Sequence, residues 1–270
     1  MRAARGPGEL GAPLVTVRNA AVGMFERVDA FIGGVSSAGS QGELRTILGD
    51  IAKELGFTHF ALSHHVDLRN SSEPAIRIHN YPEEWERYYD RKQLGRSDPV
   101  HRACQMTLVG FAWSQLPRMI PLTRMDRAVL DAAAKQGLGN GFTVPAHVPG
   151  EVNGSCSFAT PLDRPMQAEH LATAQLVGAF AFEAARRLVK RDHQKQADPA
   201  RFSDRERDCL IWIARGKSDS EIATILGISP ETVHQYVKQA RANYDAVSRS
   251  QLVARALFSG TISFMDIFKR

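Results

Sequence analysis

The chain has 270 residues, 43% of them hydrophobic, enough to bury more than one core, with a net charge of +5 and a pI near 9.3. It holds no run of about 18 apolar residues, which excludes a membrane-spanning helix, and its opening MRAARGPGELGAPLV has no apolar stretch of the kind a secretory signal needs. Cys104, Cys156 and Cys209 stand far apart without CxxC or Cys/His spacing, which argues against zinc or a disulfide framework and for reduced thiols in a cytosol.

In chain order, residues 1–22 are rich in Gly and Pro and are expected to form a flexible leader. The stretch QGELRTILGDIAKELG then sets Leu44, Ile47, Leu48, Ile51 and Leu55 at helical spacing, with Ser40 and Glu43 as a capping box. FTHFALSHHV and AIRIHN read as short strands. EEWERYYDRKQLG, DPVHRACQM and LTRMDRAVLDAAAKQG read as helices, the last ending at Gly137. GFTVPAHVP and GSCSFATP, joined by the turn-like GEVN, form a hairpin, and a long amphipathic helix runs from about Gln167 to Arg191. Strands with helices on both sides predict an α/β/α sandwich over residues 23–190. The polar RDHQKQADPAR, with Asp198-Pro199 opposing helix, marks a linker at 191–201. Just before it lies a basic cluster, Arg186, Arg187, Lys190, Arg191 and Lys195, which reads first as a solvated helix end and second as a phosphate contact.

Residues 202–270 predict an all-α domain of four helices, so the whole chain is α+β. Ser203 with Glu206, and Ser218 with Glu221, are capping boxes; Ser229 caps a third helix with Pro230 at its first position; Ser248 with Gln251 opens a fourth. Gly227 provides the turn between the second and third helices. On the third, Val233, Tyr236, Val237, Ala240 and Tyr244 share one face and are expected to turn inward. The opposite face carries Thr232, His234, Gln235, Lys238, Gln239 and Arg241, with no carboxylate after Glu231. A solvated helix face normally mixes acids among its bases, so this one-sided chemistry favours double-stranded DNA as partner. Gly216-Lys217-Ser218 lacks the upstream strand and glycine of a phosphate-binding loop.

The run RERDCLIWIARGKSDSEIATILGISPETVHQYV resembles the LuxR-type helix-turn-helix, with Glu206, Leu210 and Gly216 at its landmarks and Glu221, Ile222, Ala223, Ile228, Ser229, Thr232 and Val233 also fitting. The resemblance implies that His234 and Lys238 face bases, Lys238 able to donate to guanine. It leaves Thr232, Gln235 and Lys217, with Arg241 on the same face, to meet phosphates. Tyr236 departs from the histidine common in relatives.

Upstream, Tyr81, Trp85, Tyr89, Asp98-Pro99, Trp113, Gly137 and Gly141 follow the spacing W-x3-Y-x8-D-x14-W-x27-G. Over residues 40 to 190 this resembles the acyl-homoserine-lactone-binding domain of quorum-sensing LuxR regulators. The resemblance assigns the Trp85 indole N–H to a lactone carbonyl, the Tyr81 hydroxyl to the acyl carbonyl and the Asp98 carboxylate to the ligand amide. Tyr89 and Trp113 become walls, and Ser157 an extra hydroxyl. Taken singly, a Trp and a Tyr one turn apart make ordinary core, and Asp98 before Pro99 makes an N-cap; the joint spacing carries the reading. DRKQLGRS, between Tyr89 and Asp98, is more basic and Gly-containing than in relatives, and the bulkier residues expected to face the tail, Phe60, Leu62 and Met106, do not fix the acyl chain length.

The resemblance implies a cytoplasmic, ligand-responsive transcription factor acting in quorum sensing. It would bind a palindromic promoter site as a homodimer through the long helix, with RNA polymerase a further candidate partner and no cofactor or metal. The alternative is an orphan regulator of the same fold with another ligand or none. A lactone-hydrolysing enzyme, with Cys156 or a serine as nucleophile and a base from among His59, His64, His65, His79 and His147, is disfavoured because GSCSF lacks the second glycine of a nucleophile elbow.

Overall fold

The computed structural model of the chain describes residues 14–66, 75–149, 151–193 and 202–268. The chain falls into two units, the first ending at Asp192 and the second beginning at His193, with the segment His147–Asn153 grouped with the second. The first opens with α1 (Leu14–Ser37) and α2 (Gln41–Glu54), then β1 (His59–His64), β2 (Arg77–His79), α3 (Glu83–Arg91) and α4 (Pro99–Cys104). β3 (Phe111–Ala112), α5 (Leu116–Met119), α6 (Arg124–Lys135), β4 (Asn140–Ala146), β5 (Gly154–Thr160) and α7 (Leu171–His193) follow.

The five strands form an antiparallel sheet in the order β2-β1-β5-β4-β3. Side chains alternate across it. Phe60 and Leu62 of β1, Phe142 and Val144 of β4, and Cys156 and Phe158 of β5 join Leu44, Leu48 and Ile51 of α2 and Val177, Ala181 and Leu188 of α7 in one core. The intervening residues face the other way, toward α3, α4 and α6, where Trp85, Val129, Ala133 and Leu138 gather with Ala159. Helices thus cover both faces of the sheet, giving the α/β/α layering expected.

The second unit packs α8 (Asp204–Ala214), α9 (Asp219–Leu226), α10 (Pro230–Asn243) and α11 (Arg249–Phe258) around Leu210, Ile222, Val233 and Leu252, all fully buried. The capping serines 203, 218, 229 and 248 each accept from the backbone N–H three residues on. Gly227 takes φ +66°, the left-handed turn between α9 and α10. Val233, Val237 and Ala240 of α10 are buried and Tyr236 and Tyr244 half-buried against the same core.

Several details differ from the sequence-based expectation. A fifth helix, α12 (Phe264–Phe268), follows the expected four; Ser263 and Asp266 nucleate it by the same capping exchange, in a segment too short for apolar periodicity to mark. α1 begins at Leu14, inside the stretch expected as leader, because Leu14, Val17, Ala21 and Met24 already follow helical spacing. α7 continues to His193 into the expected linker; residues 1–13 and 194–201, Lys195 among them, lie outside the described residues. Glu43 and Gln251 accept from Gly39 N and Val247 N, one residue before the caps Ser40 and Ser248. The basic cluster has a structural use: Arg187 donates to the Val35 and Ala38 carbonyls at 2.8 and 3.4 Å, closing the C-terminal end of α1, and Arg186 pairs with Glu183.

Candidate functional site

On the sheet face opposite the core lies a cavity of about 180 Å³. Tyr81, Trp85, Tyr89, Asp98, Trp113 and Ser157 all line it. α3 projects Trp85 and Tyr89 from adjacent turns, their rings 5.8 Å apart. Asp98 caps α4 through Oδ1, which accepts from Val100 N at 2.8 Å, while Oδ2 accepts from the Tyr89 hydroxyl at 2.8 Å. A carboxylate offers about four acceptor positions, so about two stay available to a ligand. Tyr89, expected only as a wall, thereby also orients Asp98. Burial, reinforced by Asp98, pushes the Tyr81 and Tyr89 hydroxyls well above the ordinary phenol value, and both remain donors throughout the neutral range. Among the described residues, neither the Tyr81 hydroxyl nor the Trp85 indole N–H bonds to another protein group.

Trp113 Nε1 donates to Thr143 Oγ1 at 2.9 Å, and Thr143 Oγ1 lies 2.8 Å from Ser157 Oγ. When Thr143 donates to Ser157, the Ser157 hydrogen is left for a ligand acceptor. The Trp113 ring lies against the backbone at Gly141, where a Cβ would stand 2.3 to 2.6 Å from three ring atoms. Gly141 is thus required for close approach rather than for its dihedral angles.

Sequence reasoning missed the polar side of this cavity. Arg77 binds Asp90 at 3.0 Å and Glu86 at 3.1 Å, and His79 Nε2 lies 3.4 Å from Glu86; all four line the cavity, as do Ala61 and Ser63. The alternation of Arg77 and His79 in β2 and of Ala61 and Ser63 in β1 was the available signal. Of the bulky residues expected to face the tail, Phe60 and Leu62 both turn into the core on the other side of the sheet, Leu62 also bordering the cavity, and Met106 is 65% exposed. Cys156 also faces the core, and burial pushes its thiol upward and that of Cys104 to about 12, so neither is a nucleophile at neutral pH.

In the second unit, His234, Gln235, Lys238 and Arg241 are exposed on one face of α10, with Thr232 half-buried. Lys217 pairs with Glu221 at 2.9 Å, Gln235 bonds Glu231 at 3.0 Å, and the Thr232 hydroxyl lies 2.8 Å from that of Ser229. His234 stands 3.8 Å from Asp219, which Arg249 also binds. The Arg241 guanidinium, exposed on the same face, donates to the Ala246 and Val247 carbonyls beyond the end of α10. Lys238 alone of the six makes no hydrogen bond or ion pair among the described residues, leaving its ammonium fully available. No helix among the described residues is long and apolar enough to cross a membrane.

Comparison with known proteins is consistent along the chain. Residues 40–188 match the autoinducer-binding domain family and residues 200–256 the luxR family of bacterial regulatory proteins. The chain is 31% identical to the transcriptional activator protein TraR of Agrobacterium vitis, over 79% of this chain and 89% of that protein. It is 25% identical to the transcriptional activator protein AhyR of Aeromonas hydrophila, over 81% and 85%. The crystal structure of Escherichia coli SdiA superposes with a TM-score of 0.69 at 26% identity, covering 88% of this chain and 98% of that one. A second SdiA structure is a complex with octanoyl-rac-glycerol.

Proposed function

Because this chain belongs to the LuxR family of bacterial transcriptional regulators, with an autoinducer-binding domain preceding its helix-turn-helix, we propose that its signal is an acyl-homoserine lactone and its output the activation of a quorum-sensing promoter. Such a regulator is no enzyme. The observation that carries the ligand assignment is the convergence of Tyr81, Trp85 and Asp98 on one cavity, two unused donors beside an acceptor with capacity remaining. That set matches an amide N–H flanked by two carbonyls: Asp98 takes the amide, Tyr81 the acyl carbonyl, Trp85 the lactone carbonyl. An unpartnered buried amide costs about 1–3 kcal/mol, so each pairing matters. Ser157 adds a donor near the acyl carbonyl, and Tyr89 and Trp113 close the walls.

The ligand domain runs from α1 through α7 and the DNA domain over 202–270, joined by a linker within 194–201. The regulator works in the cytoplasm as a homodimer, pairing through the exposed face of α7, and presents two α10 helices to a palindromic site where RNA polymerase is recruited. His234 and Lys238 read bases; Thr232, Gln235 and Lys217 hold phosphates once the ion pair of Lys217 opens. A second reading, an acyl ligand without a lactone ring, draws on the glycerol ester bound by SdiA.

A thermal melt of the purified chain against acyl-homoserine lactones tests the proposal. A ligand at about 100 times its Kd adds roughly 2.7 kcal/mol to the folded state. A shift with lactones supports it; a flat response to every lactone together with a shift from acyl glycerols would select the second reading.

A further inference from the structure

Resting on the lactone reading above, we infer that the cognate ligand carries a hydrogen-bonding group, a hydroxyl, toward the far end of its acyl chain. The cavity floor is the outward face of the sheet, and its composition can be read across the strands. Thr143 pairs with Ser157, Ser157 with Ala61, and Ala61 with His79. One residue pair along, Ser155 is opposite Ser63, and Ser63 opposite Arg77. From Ser157 to the β2 edge is two strand spacings, about 10 Å.

Of the head-group contacts, Asp98 at the start of α4, Trp113 against Gly141, and Ser157 stand at the β4–β5 side, while the Tyr81 ring reaches in from beside His79, 5.8 Å away. A tail leaving them crosses Ala61 and Ser63, which are small, and arrives at Arg77, His79, Glu86 and Asp90. Those four side chains are 18 to 39% exposed; Arg77 is ion-paired with Asp90 and Glu86 at 3.0 and 3.1 Å, and the His79 imidazole lies 3.4 Å from Glu86. Part-buried ion pairs of this kind are poor neighbours for a methyl terminus, which would strip their remaining water and give no hydrogen bond in return. A hydroxyl answers both charges: its oxygen accepts from the Arg77 guanidinium and its hydrogen goes to Glu86 or Asp90. With two carboxylates facing one arginine, a tail ending in a carboxylate is repelled. The site therefore selects a neutral donor and acceptor over an alkyl end.

The test compares Kd values of the full chain for acyl-homoserine lactones of matched length, saturated or hydroxylated at the chain end. Sites built to hydrogen-bond a hydroxyl discriminate strongly against its absence, so the hydroxylated ligand is expected to bind at least about tenfold tighter. Equal or tighter binding of the saturated ligand overturns this inference and leaves the lactone reading standing. Binding of neither overturns both. In the combined variant Arg77→Met, Glu86→Leu, Asp90→Leu the preference is expected to vanish, and its persistence would also overturn the inference. If that variant does not fold, the comparison on the unaltered chain still decides.

Discussion

At Asp98 the demands of fold and ligand separate cleanly, since one oxygen caps α4 and the other faces Tyr89 and the cavity. Asn keeps a capping oxygen, so Asp98→Asn is expected to fold normally but to lose a charge-assisted bond to the ligand. Such bonds are worth about 1.5–3 kcal/mol, so lactone affinity, read as a melting shift, should fall roughly 10- to 100-fold. Gly141→Ala acts differently. Its Cβ displaces the Trp113 ring, with an overpacking cost of about 1–3 kcal/mol visible in the melt without ligand, and the cavity is deformed as well. His59 and His79 add a dependence on pH. Burial holds both below their ordinary 6.5, with Asn80 opposing it at His59 and Glu86 at His79. Below 6.5 the unfolded chain therefore takes up protons that the folded chain refuses, and stability falls as pH drops through that window. Melts at a series of pH values check this: the loss should shrink in His59→Gln and His79→Gln, and an unchanged slope would remove these two groups as its cause.

Among the elements, α10 makes the sharpest prediction. Lys238 is the one predicted contact with an unengaged charge, so Lys238→Ala should weaken promoter binding and relax sequence preference at one position by about 1–3 kcal/mol. Lys217→Ala should instead lower affinity evenly across sequences and reduce the salt slope by about one. Competition binding with base-substituted sites separates the two. The elements themselves were largely legible in the sequence because their signals are local: a serine three residues before its acid, apolar residues at helical spacing, a glycine at the turn. The six cavity residues were legible only as a joint spacing matched to a family. β3, with two residues, and α12, with five, fall below the length at which periodicity speaks. From sequence Arg187 looks like surface charge, because its carbonyl partners lie about 150 residues earlier, at the end of α1. The same holds for Arg77, whose place on the cavity wall depends on how β1 and β2 pair.

For the whole molecule, the proposed homodimer rests on α7, where Leu176 and Phe180 are 39 and 40% exposed while the face behind them is packed into the core. Phe180→Asp, which removes apolar surface without touching that core, is expected to leave the chain folded, lowering the melt only by the concentration-dependent stabilisation that dimerisation lends. It should shift the chain to monomer in sedimentation velocity and cost most of the affinity for a two-half-site promoter. A dimer that survives both this change and Leu176→Asp would place the interface elsewhere. The strand order carries a different consequence. β5 lies between β1 and β4 with all seven of its residues buried, yet of the five strands among the described residues it is the last to be synthesised. While a ribosome adds residues 65–153 at about 5–20 residues per second, β1 waits roughly 5–20 s with one edge bare. Open edges of that kind invite pairing with other nascent chains. The number of chains being translated side by side then bears on how much of the protein reaches the native state, apart from how stable the finished fold is.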